Sequence, residues 1–104
     1  MIKIKSNDNN YLFDNYIKMA RGFRKEKKLN KALKFYKKAN NLSIGKRDKD
    51  LILDIALLYD ELGFREMAKK KYKEAIEIDS NFENAYYGLA VVYDEEEDYK
   101  RAMQ

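Results

Sequence analysis

The chain has 104 residues, 45% of them hydrophobic and 38% charged, and it contains no proline, tryptophan, cysteine or histidine. That length suits one small domain with a modest core, and the missing cysteine and histidine exclude disulfides, thiol nucleophiles, imidazole bases and the usual zinc ligands. The net charge of +4 hides an asymmetry: residues 1–48 carry fourteen Lys and Arg against four acids, and residues 49–104 carry eight against fourteen. The chain is a charge dipole along its own length, which bears on partners and self-association rather than on fold.

Four glycines and no proline leave few obligatory breaks, so helices are favoured over turn-rich β folds. The first residues, Met1-Ile2-Lys3-Ile4-Lys5-Ser6, lack the apolar run of a signal peptide. No later segment is apolar enough for a membrane span, so the expected location is cytoplasmic. The spacing predicts a first helix over 10–26, with Tyr16, Met19, Ala20 and Phe23 on one face at i, i+3, i+4, i+7. A second over 29–42 carries Leu29, Ala32, Leu33, Tyr36 and Ala39 inward. Residues 43–48 then form a loop.

A third helix is expected over 49–62, with Ile52, Ile55, Ala56 and Tyr59 as its inner face and Gly63 as the left-handed residue that ends it. A fourth spans 65–78 around Ala68, Tyr72, Ala75 and Ile76, and Asp79-Ser80-Asn81 has the chemistry of a turn leading into a helix cap. A fifth covers 82–96 with Tyr86, Leu89, Ala90 and Tyr93 inward; the acidic run Asp94–Asp98 is expected as a solvated turn, followed by a helical stub from Tyr99.

These segments repeat. Ala20 and Ala32, Ala56 and Ala68, Ala90 and Ala102 each stand twelve apart, and successive pairs are offset by 36 and then 34 residues. The same offset carries Tyr36 onto Tyr72 and Ala39 onto Ala75, and an aromatic follows each leading alanine by three: Phe23, Tyr59, Tyr93. Self-similarity at this period marks a stacked helical array. Small alanines let paired backbones approach, and the aromatics fill the remaining gaps.

The alanine pairs with their intervening aromatics resemble the tetratricopeptide repeat. The third unit fits best, through Tyr86, Leu89, Ala90, Tyr93, Tyr99 and Ala102, and the middle unit fits through Ala56, Tyr59, Leu62, Gly63, Ala68, Tyr72 and Ala75. Departures are Phe64 one place early, Lys27 where the inter-helix turn often has glycine, and Ile44 and Ser80 where a closing proline is common. The resemblance covers residues 13–104 and implies an all-α, right-handed α-solenoid of about three helix pairs, the last incomplete. Its units are 13–48, 49–82 and a truncated 83–104 within one domain, 1–104. An end stopping inside a helix, at Met103-Gln104, lacks the polar cap that a solenoid needs, so a fragment of a longer chain is expected.

The resemblance further implies a concave surface built by the first helix of each unit, and a protein-interaction scaffold that binds a peptide or partner helix there. The inner face would take Asp14, Ile17, Lys18, Arg21 and Arg24 from the first unit and Asp50, Leu53, Asp54, Leu57 and Asp60 from the second. Asn84, Tyr87, Gly88, Val91 and Asp94 come from the third. The groove would be apolar along its floor, basic at one end and acidic at the other, fitting a ligand of opposite polarity. Ile17, Leu53, Leu57 and Val91 are also consistent with a widened core stripe, whereas Tyr87 reads as an anchor.

Some members of the family grip a C-terminal carboxylate, as in chaperone tails, through Lys, Asn, Asn, Lys and Arg. Here those places hold Ile17, Arg21, Leu57, Asn84 and Gly88, none of them matching, so a chaperone tail is not the expected partner. Nucleic acid is a weaker expectation: the helix Lys27–Lys38 is lysine-rich, but its Tyr36 belongs to the core pattern. The acidic run has no calcium-loop spacing, and Asp60 and Glu61 are expected on open helix surface, so neither metal or other cofactor binding nor catalysis is expected. Self-assembly is the alternative, since the basic first unit complements the acidic third and the last helix leaves an apolar end.

Overall fold

The computed structural model describes residues 5–104, with side chains from Asn10 onward. Met1–Ile4, within the stretch read for a signal run, lie outside the described residues, as does the side chain of Asp8, one of the four N-terminal acids. The order is α1 (Lys5–Lys25), α2 (Leu29–Asn41), α3 (Lys49–Glu61), α4 (Arg65–Ile78) and α5 (Glu83–Ala102). Helix α1 packs on α2, α3 on α4 and α4 on α5, while α2 and α3 join the two pairs and α3 also touches α5. The fold is an all-α solenoid: two helix pairs followed by a further first-type helix.

The repeated alanines sit where the paired backbones cross. Ala20, Ala32, Ala56, Ala68, Ala39 and Ala75 are wholly buried, with Tyr36 and Tyr72 between them. Tyr72, Ile52, Ile55, Leu58 and Val92 are the largest fully buried side chains, each worth about 1.5–3 kcal/mol on burial. Around α1 and α2 the core is aromatic, with Phe35 stacked on Phe23 at 5.6 Å and tilted against Tyr16 at 6.2 Å.

The two pairs turn alike although their turn residues differ. Gly63 has φ 86° and Lys27 has φ 66°, both left-handed. The bond from Phe64 N to Tyr59 O is matched by that from Lys28 N to Phe23 O, each 2.8 Å. Such a reversal closes a helix by satisfying its last carbonyls. Asp48 starts α3, its carboxylate accepting from the N–H groups of Asp50 and Leu51 at 3.1 Å.

Four sequence expectations are corrected. Helix α1 begins at Lys5, not near residue 10. Helix α5 is unbroken from Glu83 to Ala102, so Asp94–Asp98 is helical and no second helix starts at Tyr99. Its N-cap is Phe82, without a side-chain bond; Asp79 instead makes a local turn, accepting from Asn81 N at 3.0 Å, and also binds Lys49. Finally, Met19, Tyr86, Ala90, Tyr93 and Ala102 are exposed rather than inward. Helix α5 buries Phe82, Ala85, Gly88 and Val92 against α3 and α4, and no helix covers its other face among the described residues.

Candidate functional site

The first-type helices α1, α3 and α5 bear the expected groove residues, and the fold separates those residues into two clusters. Between α3 and α5 lies a cavity of about 300 Å³ lined by Leu53, Leu57, Asp60, Tyr72, Asn84, Tyr87, Gly88 and Val91. Leu53, Leu57 and Val91 are half-buried and Tyr87 is 75% exposed, so the aliphatic groups form the wall and the tyrosine stands at the rim. The cavity exists because Gly88 has no side chain: Tyr72, 1% exposed, passes beneath it and closes the floor.

The second cluster is a wide, open depression of about 760 Å³ beside the end of α1, lined by Lys18, Arg21, Gly22, Arg24, Lys25 and Lys27. Part of its charge is answered within the chain. Arg24 Nη2 donates to Glu61 Oε1 at 3.1 Å, and Arg21 lies near the hydroxyl of Tyr36. Asp54 lies close to both arginines; burial pushes its carboxyl above the usual carboxylate range, and the nearby Arg24 and Arg21 only partly oppose this. Ile17 packs against the core, while Asp50, Asp14 and Asp94 are exposed and line neither cavity.

Two acids depart from their expected surroundings. Asp60 borders the apolar cavity rather than open surface, and Glu95 is half-buried on helical backbone rather than in a turn. Their carboxyls are within hydrogen-bonding reach, and this contact, then burial, raises Glu95 above its ordinary range against the weaker pull of Arg65. Tyr72 is pushed up to about 12, first by burial and then by the charges of Asp60, Glu95 and Glu61. The sequence hid the pairing because Glu95 sits within a run of five acids, whose helical register is what selects it.

The basic helix α2 is committed to the fold surface. Lys31, Lys34 and Lys38 lie over the rings of Phe23, Phe35 and Tyr16 at 5.6, 5.8 and 5.9 Å, and Lys37 lies 6.0 Å from that of Tyr59. Tyr36 is 2% exposed and unavailable for stacking on a base. Among the described residues no group of three or more carboxylates could hold a metal ion, and no helix is long and apolar enough to cross a membrane.

Residues 58–95 match the sequence model described as the TPR repeat, the tetratricopeptide repeat. No curated protein sequence matches the chain. Among solved structures, the second TPR of Spaghetti (RPAP3), bound to an HSP90 peptide SRMEEVD, superposes with a TM-score of 0.77 at 21% identity, covering 97% of this chain and 92% of that one. The Sgt2 TPR domain from Aspergillus fumigatus gives 0.74 at 20% identity, over 85% of this chain and 57% of that one. Residues 58–95 thus match the repeat's own model, and the helices of the chain stack as in these tetratricopeptide-repeat domains.

Proposed function

We propose that the chain is a protein-interaction scaffold that binds a peptide or partner helix along the face formed by α1, α3 and α5, without catalysis. The observation that carries this reading is the cavity between α3 and α5, where Leu53, Leu57 and Val91 line an apolar recess beside the exposed Tyr87. A recess of that size admits one large apolar side chain, and tyrosine at its rim is a common anchor. Lys18, Arg21, Arg24, Asp50, Asp54 and Asn84 would border the rest of the bound segment.

The RPAP3 domain is bound to a peptide ending in Glu-Glu-Val-Asp. Transfer of that ligand to this chain is disfavoured by residue identity, since Ile17, Arg21, Leu57, Asn84 and Gly88 supply none of the carboxylate-gripping set. The test is titration of captured peptides against wild type and the Leu57→Asp, Tyr87→Ala double variant. Unchanged affinity with an intact helical spectrum would rule the groove out.

A second reading, self-association, is supported by a different observation. Ala20 and Ala56 are wholly buried by the helices paired with them, but the equivalent Ala90 is exposed between Tyr86 and Tyr93. Sedimentation at low and high salt would separate an apolar dimer from a charge-driven stack. A monomer at high protein concentration in both would remove this reading.

A further inference from the structure

The cavity between α3 and α5 has a distinct chemical polarity. Its aliphatic wall runs through Leu53, Leu57 and Val91, and Asp60 stands at its edge. One helical turn beyond Val91 on α5 stands Glu95, half-buried and beside Asp60. Two carboxylates held together repel unless a proton or a cation lies between them.

Among the described residues, neither Asp60 nor Glu95 has a lysine or arginine nitrogen within ion-pair distance. Arg24 pairs with Glu61 and Lys69 with Glu66 and Glu96, while Arg65, its guanidinium over the Tyr99 ring at 5.3 Å, pulls on Glu95 only weakly and without an ion pair. The negative field also extends beneath the apolar recess, where it acts on the Tyr72 hydroxyl.

We propose that this end of the groove recognises a cationic side chain, the partner placing an apolar residue against Leu53, Leu57 and Val91 and a neighbouring Lys or Arg between Asp60 and Glu95. The ligand is therefore a basic-and-apolar protein segment, opposite in charge to the acidic tail bound by the RPAP3 domain. An ammonium or guanidinium there makes charge-assisted hydrogen bonds to both carboxylates and relieves their repulsion. This inference rests on the groove reading above and adds the charge of the occupant.

The experiment is selection of a displayed library of random dodecapeptides on the wild-type chain, with binding of the winners measured by fluorescence anisotropy. Leu57→Asp marks the peptides that occupy the groove. Expected is enrichment of Lys or Arg next to an apolar residue, with about a tenfold loss of affinity in the Asp60→Asn, Glu95→Gln double variant. A Glu95→Lys selection should drop the basic preference. Thermal melting of each variant shows whether the fold is kept; both positions are only half-buried, so it should be. If Leu57-dependent peptides carry no basic bias, or bind the neutralised variant as tightly, the cation assignment is overturned while the groove stands. If no Leu57-dependent peptide emerges, the groove reading falls and this inference with it.

Discussion

The ring of Tyr72 lies so close to the Cα of Gly88 that a methyl carbon built there would sit 2.3 Å from Cε1 and 2.8 Å from the hydroxyl oxygen. That approach locks α4 against α5 and also forms the floor of the cavity. It makes the missing side chain at residue 88 a structural requirement of the proposed site.

Gly88→Ala should therefore destabilise the chain. In an open helix the change would gain about 1 kcal/mol from backbone entropy. Here the methyl meets a ring that is 1% exposed and has nowhere to go, and overpacking costs about 1–3 kcal/mol. Urea denaturation should show a net loss of up to about 2 kcal/mol, the balance of these two effects. A net gain would mean that the contact is loose.

The paired inter-helix turns give a prediction with two opposite signs. Lys27 and Gly63 both hold positive φ, 66° and 86°, but only glycine adopts this region without steric cost. Lys27→Gly should stabilise by about 0.5–1 kcal/mol, and Gly63→Ala should destabilise by about 1 kcal/mol. Both changes are read as shifts in the urea midpoint. If Lys27→Gly destabilises, the left-handed turn is not what the N-terminal pair uses.

Asp54 predicts a pH dependence. Its carboxyl is raised above 3.8, burial outweighing Arg24 and Arg21, so folding favours the protonated acid. The stabilising contribution of that proton is complete below the unfolded value and is lost as pH rises through the folded one. At pH 7 the buried charge is a cost, and Asp54→Asn should be more stable than wild type. The advantage should narrow as pH falls through the raised folded value toward 3.8. Chemical denaturation at neutral and mildly acid pH checks this; an advantage that stays constant or widens on acidification would contradict the burial argument.

How far the sequence disclosed the fold can be argued from the alanine pairs. Ala20 with Ala32 and Ala56 with Ala68 gave both complete helix pairs, because each pair marks a crossing that both backbones must reach. Ala90 with Ala102 carries the same signal, yet both alanines are exposed along one helix. Periodicity reports which residues share a face, not whether a partner covers it. At the turn position matching Lys27 and Gly63 stands Glu97, a good helix former with nothing to break α5. Lys27 shows that glycine is dispensable when the next helix packs well: α2 buries Ala32, Leu33, Tyr36 and Ala39. The residues of α3 and α5 that line the cavity came from the family resemblance rather than from periodicity, whereas the Asp60–Glu95 contact depends on the helical register of an acidic run expected as a turn.

The uncovered face of α5 supplies the last prediction. Ala56 is wholly buried, and its repeat equivalent Ala90 is exposed. Ala56→Leu forces extra volume into a packed crossing and should cost about 1–3 kcal/mol. Ala90→Leu meets open space and should stay within about 0.5 kcal/mol of wild type, as surface changes do. Amide exchange extends the comparison along the helix. In a proven monomer, residues 97–102, exposed throughout, should exchange faster than the core-packed amides of α4. Equal penalties at the two alanines, or protection of 97–102 matching that of 65–78, would mean that the end of α5 is covered by something other than solvent.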